Sequence, residues 1–225
     1  MFHPDILATF QQILSIPGLP VQQMSYDTTF TLGDFYLSIL VFRETEFTSP
    51  PVIPLAYMIH ERKLSSTHDT FWYLLKRKCP ELCRPDCNVV IITDQEESIT
   101  QSIQKHFPDI PHFLCTNHIM QDCKHWLRSH GATTALETTY YIDCIQTMLL
   151  CETEIEYKDM VIANLQTWSQ PFTQYFMSHI NAKSHKVCTW ATKKHGVNNL
   201  TTNQSESFNS SLRGCRTGKK LLLML

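Results

Sequence analysis

A run of five apolar or β-branched residues, from Val89 to Thr93, leads directly into an acidic residue, Asp94. Such an unbroken run is typical of a strand that is buried on both faces of a sheet. A helical pattern begins within a few residues, so Asp94 stands at a strand-to-helix junction. Ligand-binding and catalytic groups gather at such junctions in α/β proteins. The run therefore predicts an α/β sheet that presents a carboxylate at the end of one strand.

The remaining elements predict the order of this sheet. A short helix over residues 5–15 comes first, and three strands separated by short loops follow it, as in an antiparallel meander. These strands are predicted over residues 21–30, 35–42 and 53–59. A helix over residues 69–78 separates them from the Val89–Thr93 strand. After that strand come a helix, a short fifth strand at residues 112–115 and another helix.

The second half of the chain is predicted to be helical. Residues 132–184 have a helical pattern with an acidic middle, residues 185–201 are polar and predict a loop, and a last helix is predicted over residues 204–212. The fold class is therefore α/β, with a five-stranded mixed sheet flanked by helices and a helical insertion before the last helix. The predicted divisions are residues 1–20 (helix and linker), 21–131 (core), 132–200 (insertion and loop) and 201–225 (final helix and tail).

Composition limits the partners and the compartment. The 225 residues allow one large domain, and a net charge of −2 gives no overall sign of a nucleic-acid binder, so DNA would have to be held by local basic patches. Nine scattered cysteines and a start without a basic region and apolar core predict free thiols in a reducing compartment. No apolar run is long enough to predict a membrane span. The apolar end, residues 221–225, follows a basic segment and suggests a truncated chain.

Three acidic residues are candidates for metal chemistry: Asp27 near the end of the first strand, Asp94, and Glu206 at the start of the last helix. Each has an ordinary explanation when it is taken singly. Asp27 fits an exposed turn, Asp94 fits a helix N-cap with Glu97, and Glu206 fits a capping box with Asn203. Their order along the chain is that of an RNase H-like arrangement. Phosphodiester attack builds negative charge on two oxygens, and divalent ions held by carboxylates can stabilise both.

Four blocks of this sequence resemble those of Mutator-like (MULE) transposases. They are SYDTTF at residues 25–30, VIITDQE at 90–96, CTNH at 115–118, and Trp190-Ala191 followed by TNQSESFN at 202–209. The resemblance covers residues 21–213. It implies a DDE-type transposase core of RNase H-like fold, with a two-metal site for Mg²⁺ or Mn²⁺ held by Asp27, Asp94 and Glu206. It also implies DNA partners (transposon ends and target), a nuclear location without a clear import signal, and an accessory pair, Cys115 and His118. A homo-oligomer is a further expectation.

The sequence departs from the family pattern at both ends, where full members carry zinc modules. This leaves open a catalytically inactive, transposase-derived protein that binds DNA or protein, and the three acids fit a stand-alone RNase H-like nuclease equally well. The candidate DNA-binding residues are Trp190, Lys193, Lys194, Arg213 and Arg216. Cysteines at positions 79, 83 and 87 have a four-residue spacing, but prolines interrupt it and a fourth zinc ligand is not evident, which favours free thiols.

Overall fold

The computed structural model of the protein describes residues 1–32, 34–43, 51–62, 64–130, 134–197 and 200. The candidate residues Glu206, Arg213 and Arg216 and the predicted last helix lie outside these ranges. The described chain forms two compact units. The first ends at His112 and the second begins at Phe113.

The first unit carries most of the sheet. Its elements are α1 (Pro4–Leu14), β1 (Gln22–Leu32), β2 (Phe35–Arg43), β3 (Val52–His60), α2 (Ser65–Lys78), a 3-10 turn (Pro80–Cys83), β4 (Val89–Thr93) and α3 (Glu97–His106). The sheet has five strands in the order β3-β2-β1-β4-β5, with β5 at His112–Leu114. Strand β2 is antiparallel to both β1 and β3, and β4 is parallel to β1. This mixed sheet, flanked by helices, confirms the RNase H-like α/β fold class.

The main core of the first unit lies between the sheet and the helices α1, α2 and α3. It is built around Trp72 and Tyr26, both with 0% exposure, and it includes Val89 and Ile91 of β4. All five residues of β4 are buried, as its unbroken apolar run predicts. A smaller cluster contains Leu37, Ile39 and Val41 of β2, with Ile39 paired to Asp27 in the strand register.

Helices α2 and α3 are joined by a surface ion-pair cluster. Asp69 accepts hydrogen bonds of 2.9 Å from Lys105 Nζ and from His106 Nε2. The hydrogen bond from Lys105, followed by the one from His106, lowers the pKa of the Asp69 carboxyl. A carboxyl whose pKa is lower in the folded protein stabilises the fold above its unfolded pKa, and this contribution is lost as the pH falls through the folded pKa.

We therefore expect Asp69→Asn to lower the melting temperature at neutral pH by a small amount, about 2 °C or less, because exposed ion pairs contribute little. The difference from the unchanged protein should shrink as the pH falls below about 4. Thermal melts followed by circular dichroism at a series of pH values would measure it. The exposed Asp109 provides a matched control, and an equal effect of Asp109→Asn at every pH would contradict the assignment.

The second unit is helical in its described part. It contains α4 (Thr116–His130), α5 (Ala135–Leu149), α6 (Glu154–Leu165), α7 (Gln170–Tyr175), a π-helical turn (Phe176–Ile180), a 3-10 helix (Asn181–Lys186), α8 (Thr189–Thr192) and a 3-10 turn (Lys193–His195). Helices α5 and α6 each begin with a complete capping box, Thr134 with Glu137 and Thr153 with Glu156. The aromatic side chains of Trp168 and Phe172 pack inside this unit. None of the helices described is long and apolar enough to cross a membrane.

The predicted loop over residues 185–201 is wrong in its described part. Short helical turns occupy this stretch, and Val187, Cys188, Ala191 and Val197 are buried. Polar residues dominate the composition, but the few apolar ones face the core of the second unit. Tertiary packing therefore sets the local structure here and overrides the polar pattern.

Candidate active site

Asp27 lies inside β1, which continues beyond it to Leu32. Its side chain is buried, with 5% exposure. The sequence placed Asp27 near the end of the strand, and the alternative explanation was an exposed turn residue. Both statements are wrong, because the second half of β1 pairs with β2 and extends the strand. Asp27 is thus a carboxylate held by the sheet itself.

Asp94 follows β4 directly and is the neighbour of Asp27 across two parallel strands. The register between β1 and β4 runs up to the pair Tyr26 and Thr93, so Asp27 comes next on β1 and Asp94 is the first residue after β4. Adjacent strands lie about 4.8 Å apart. The sheet topology therefore brings the backbone positions of two of the three acids close together.

The alternative role of Asp94 as a helix N-cap is not what the structure shows. The N-cap of α3 is Glu96, and no side chain caps this helix. The backbone N–H of Glu96 instead donates to Asp94 Oδ1 at 3.0 Å, which is the i to i+2 bond of an Asx turn. A carboxylate has about four acceptor sites, so this bond leaves capacity for a metal ion.

The end of β4 is further held by Thr93. The Thr93 hydroxyl donates to the backbone carbonyl of Asp94 at 2.6 Å. It also lies 2.9 Å from His112 Nε2. Thr93 is fully buried, so these bonds fix the backbone at the point where the strand delivers Asp94.

A buried polar pair lies close to Asp94, whose negative charge contributes, less than burial does, to the raised pKa of the Tyr26 phenol. The hydroxyl of Tyr26 and Nδ1 of His68 are 2.9 Å apart, and both side chains have 0% exposure. Burial raises the pKa of the Tyr26 phenol, which therefore stays neutral. Sequence reasoning missed His68, although it shares one stripe of α2 with Phe71, Trp72 and Leu75. That i, i+3, i+4, i+7 spacing was the signal that predicted its burial.

The donor set at this site suits a hard divalent cation. Carboxylates at neighbouring register positions repel each other, and a cation bound between them would offset the repulsion. Oxygen ligands are those that Mg²⁺ and Mn²⁺ prefer. The described residues contain no group of three His, Cys, Asp or Glu side chains arranged to hold a metal. Glu206 lies outside these residues, and its role as the third ligand stays a prediction.

The candidate accessory pair is in the second unit. Cys115 is fully buried immediately before α4, and His118 is half-buried in the first turn of that helix. The backbone N–H and the hydroxyl of Thr116 both donate to the carbonyl of Leu200, at 2.8 and 3.0 Å. These bonds attach Leu200 to the start of α4.

The described candidates for DNA contact are also in the second unit. Trp190 is half-buried in α8 and packs against the core of this unit. Lys193 is exposed and forms an ion pair with Glu152 at 2.8 Å, while Lys194 is exposed. In the first unit, Cys79, Cys83 and Cys87 are free thiols.

The site and the fold together define an RNase H-like domain with paired acids on its central strands. Residues 23–122 match the family model of the MULE transposase domain. The match covers less than half of the chain, and it makes this segment similar to the MULE transposase domain. The matched segment contains both Asp27 and Asp94.

Comparison with solved structures finds the "Drosophila P element transposase strand transfer complex". The match has 14% sequence identity and a TM-score of 0.39, and it covers 97% of this chain and 50% of that chain. The protein thus spans about half the length of that transposase chain. No curated protein sequence matches this chain.

Proposed function

We propose that the protein is the catalytic core of a DNA transposase, in which Asp27, Asp94 and Glu206 hold divalent metal ions for DNA strand cleavage and strand transfer. The observation that carries the proposal is the parallel register of β1 and β4, in which Asp27 and Asp94 each directly follow the last paired residues, Tyr26 and Thr93. The match of residues 23–122 to the family model of the MULE transposase domain supports it.

Each of the three acidic residues would supply one carboxylate to the proposed metal site. Bound Mg²⁺ or Mn²⁺ would activate a water or a 3′ hydroxyl and stabilise the charge on the leaving oxygen. Asp27 supplies a carboxylate from a rigid strand interior, and its burial limits the access of bulk water. Asp94 supplies the second carboxylate, oriented by the backbone of Glu96. Glu206 would complete the ligand set from the predicted last helix.

The partners follow from this proposal. DNA at the transposon ends and at the target site would be the substrate, with Trp190, Lys194, Arg213 and Arg216 as candidate contacts. Lys193 would have to exchange its ion pair with Glu152 for a phosphate. Action on chromosomal DNA places the protein in the nucleus, and strand transfer at two ends favours a homo-oligomer.

Titration with Mn²⁺, followed by electron paramagnetic resonance, tests the proposal together with a nicking assay on plasmid DNA. We expect a binding site tighter than millimolar and nicking that requires Mg²⁺ or Mn²⁺. A protein that neither binds Mn²⁺ nor nicks any substrate would instead be a non-catalytic binding protein. Preferential cleavage of an RNA–DNA hybrid would indicate a nuclease of the RNase H type.

A further inference from the structure

We propose that Glu96 is a positioning residue for Asp94, anchored by the buried side chain of His68. The catalytic meaning of this inference rests on the proposed function, but the contacts themselves do not. The backbone N–H of Glu96 donates a hydrogen bond of 3.0 Å to Asp94 Oδ1. Its side chain has other partners.

The Glu96 carboxylate is directed to His68 and Ser98. Its Oε1 lies 3.5 Å from His68 Nε2 and accepts a hydrogen bond of 2.6 Å from Ser98 Oγ. Glu96 does not combine with Asp27 and Asp94 into a three-carboxylate metal group, since the described residues contain none. A third acid beside the two candidate ligands is thus engaged in holding the turn.

His68 is a rigid anchor for this carboxylate. Its side chain is fully buried in α2, and its second ring nitrogen, Nδ1, is 2.9 Å from the Tyr26 hydroxyl. Tyr26 precedes Asp27 on β1, so the contacts Tyr26–His68–Glu96–Asp94 connect the strand positions of both acids. Neither ring can turn without losing a buried partner.

The position of Asp94 depends on this connection because Asp94 stands just beyond the regular part of β4. The Asx turn closes only when the backbone N–H of residue 96 points at Asp94 Oδ1. A Glu96 side chain that is held on one side by His68 fixes the direction of that N–H. Partners that orient metal ligands in this way typically change metal affinity or activity by about 10- to 100-fold.

Glu96→Ala is the variant that tests the role, because the Glu96 side chain is 26% exposed and its removal leaves the core intact. We expect Mn²⁺ affinity to fall by about 10-fold. Hydrogen exchange of the residue-96 amide should become faster, and kcat for nicking should fall while KM for DNA stays the same. Glu96→Gln keeps an acceptor oxygen and should restore most of the wild-type values, which separates orientation from charge.

Two further variants serve as matched controls. Glu97→Ala removes the same charge one residue away. The Glu97 side chain accepts a hydrogen bond of 2.8 Å from Gln101 Nε2 on the same helix. Ser98→Ala removes the hydroxyl partner but keeps His68. Glu97→Ala should leave Mn²⁺ affinity and amide exchange near wild-type values, and Ser98→Ala should change both by less than Glu96→Ala does. An equal loss in Glu97→Ala would overturn the role of Glu96, and a full loss in Ser98→Ala would overturn the role of His68 as the anchor.

The amide measurement also separates this inference from the proposed function. A wild-type protein that neither binds Mn²⁺ nor nicks DNA would refute the transposase chemistry. Faster exchange at residue 96 in Glu96→Ala, reversed in Glu96→Gln, would still support the positioning role. Unchanged exchange in Glu96→Ala would refute the positioning role even if the wild-type protein were active.

Discussion

Asp94→Asn is expected to reduce metal-dependent nicking of duplex DNA by about 1,000-fold, because the loss of a metal-bound carboxylate removes several kcal/mol of transition-state stabilisation. The variant should fold normally. Asparagine has nearly the same shape and retains an oxygen at the Oδ1 position, so the hydrogen bond from the Glu96 backbone N–H can persist. Nicking of plasmid DNA at several Mn²⁺ concentrations, together with a thermal melt, measures both effects.

Glu97→Gln is the matched control for this change. Glu97 lies in the first turn of α3 and carries the same charge, but it follows the Asx turn and bonds along its own helix to Gln101. We expect the control to nick DNA at close to the wild-type rate. Undiminished nicking by Asp94→Asn would refute the assignment of Asp94 as a metal ligand. Equal losses of nicking in both variants would show that the effect comes from removing a negative charge near α3 and not from removing a metal ligand.

The strand that ends at Asp94 could be predicted from the sequence because its environment is uniform. An unbroken run of apolar or β-branched residues from Val89 to Thr93 fits a strand that is covered on both faces of the sheet. The structure gives β4 the same bounds. The meander of β1, β2 and β3 could be predicted equally well, since proline and glycine mark its loops. Together these patterns were sufficient to predict the RNase H-like topology.

The local role of Asp94 could not be predicted, because two structures share its pattern. An acid followed three residues later by Glu97 fits a capping box. The same pattern fits equally well an Asx turn at Asp94, followed by a helix whose N-cap is Glu96. This second arrangement is the one in the structure. In the structure Glu96 also lies 3.5 Å from His68 of another helix. Local sequence does not contain this long-range information.

The sequence also underestimated the extent of helix α2 and thereby concealed His68. Helix α2 was predicted from Asp69, whereas it begins at Ser65. The omitted turn contains His68, which is the only histidine on the buried stripe of this helix. A polar residue at an apolar position lowers the hydrophobic signal at the helix start, although His68 is buried with its Nδ1 2.9 Å from the Tyr26 hydroxyl.

Trp72→Ala should have the largest effect on stability, with a loss of about 3–5 kcal/mol in the free energy of unfolding of the first unit. The Trp72 ring has 0% exposure and packs against Tyr26 and Phe71, with ring centroids 5.1 and 5.4 Å away. The alanine leaves a cavity that the surrounding sheet and helices cannot fill. Hydrogen exchange of the β4 amides in urea would measure the loss within this unit.

Trp72→Phe separates packing from hydrogen bonding at the same position. The Nε1 of Trp72 is buried without a hydrogen-bond partner among the described residues, so its removal relieves a desolvated donor while most of the ring contact remains. We expect a smaller loss, about 1–2 kcal/mol. If both variants lost the same amount, Nε1 would have to make a bond that stabilises the fold. If neither variant lowered the free energy of unfolding, the core would not be organised around Trp72. The packing that supports Tyr26, the residue before Asp27, would then have to come from other side chains.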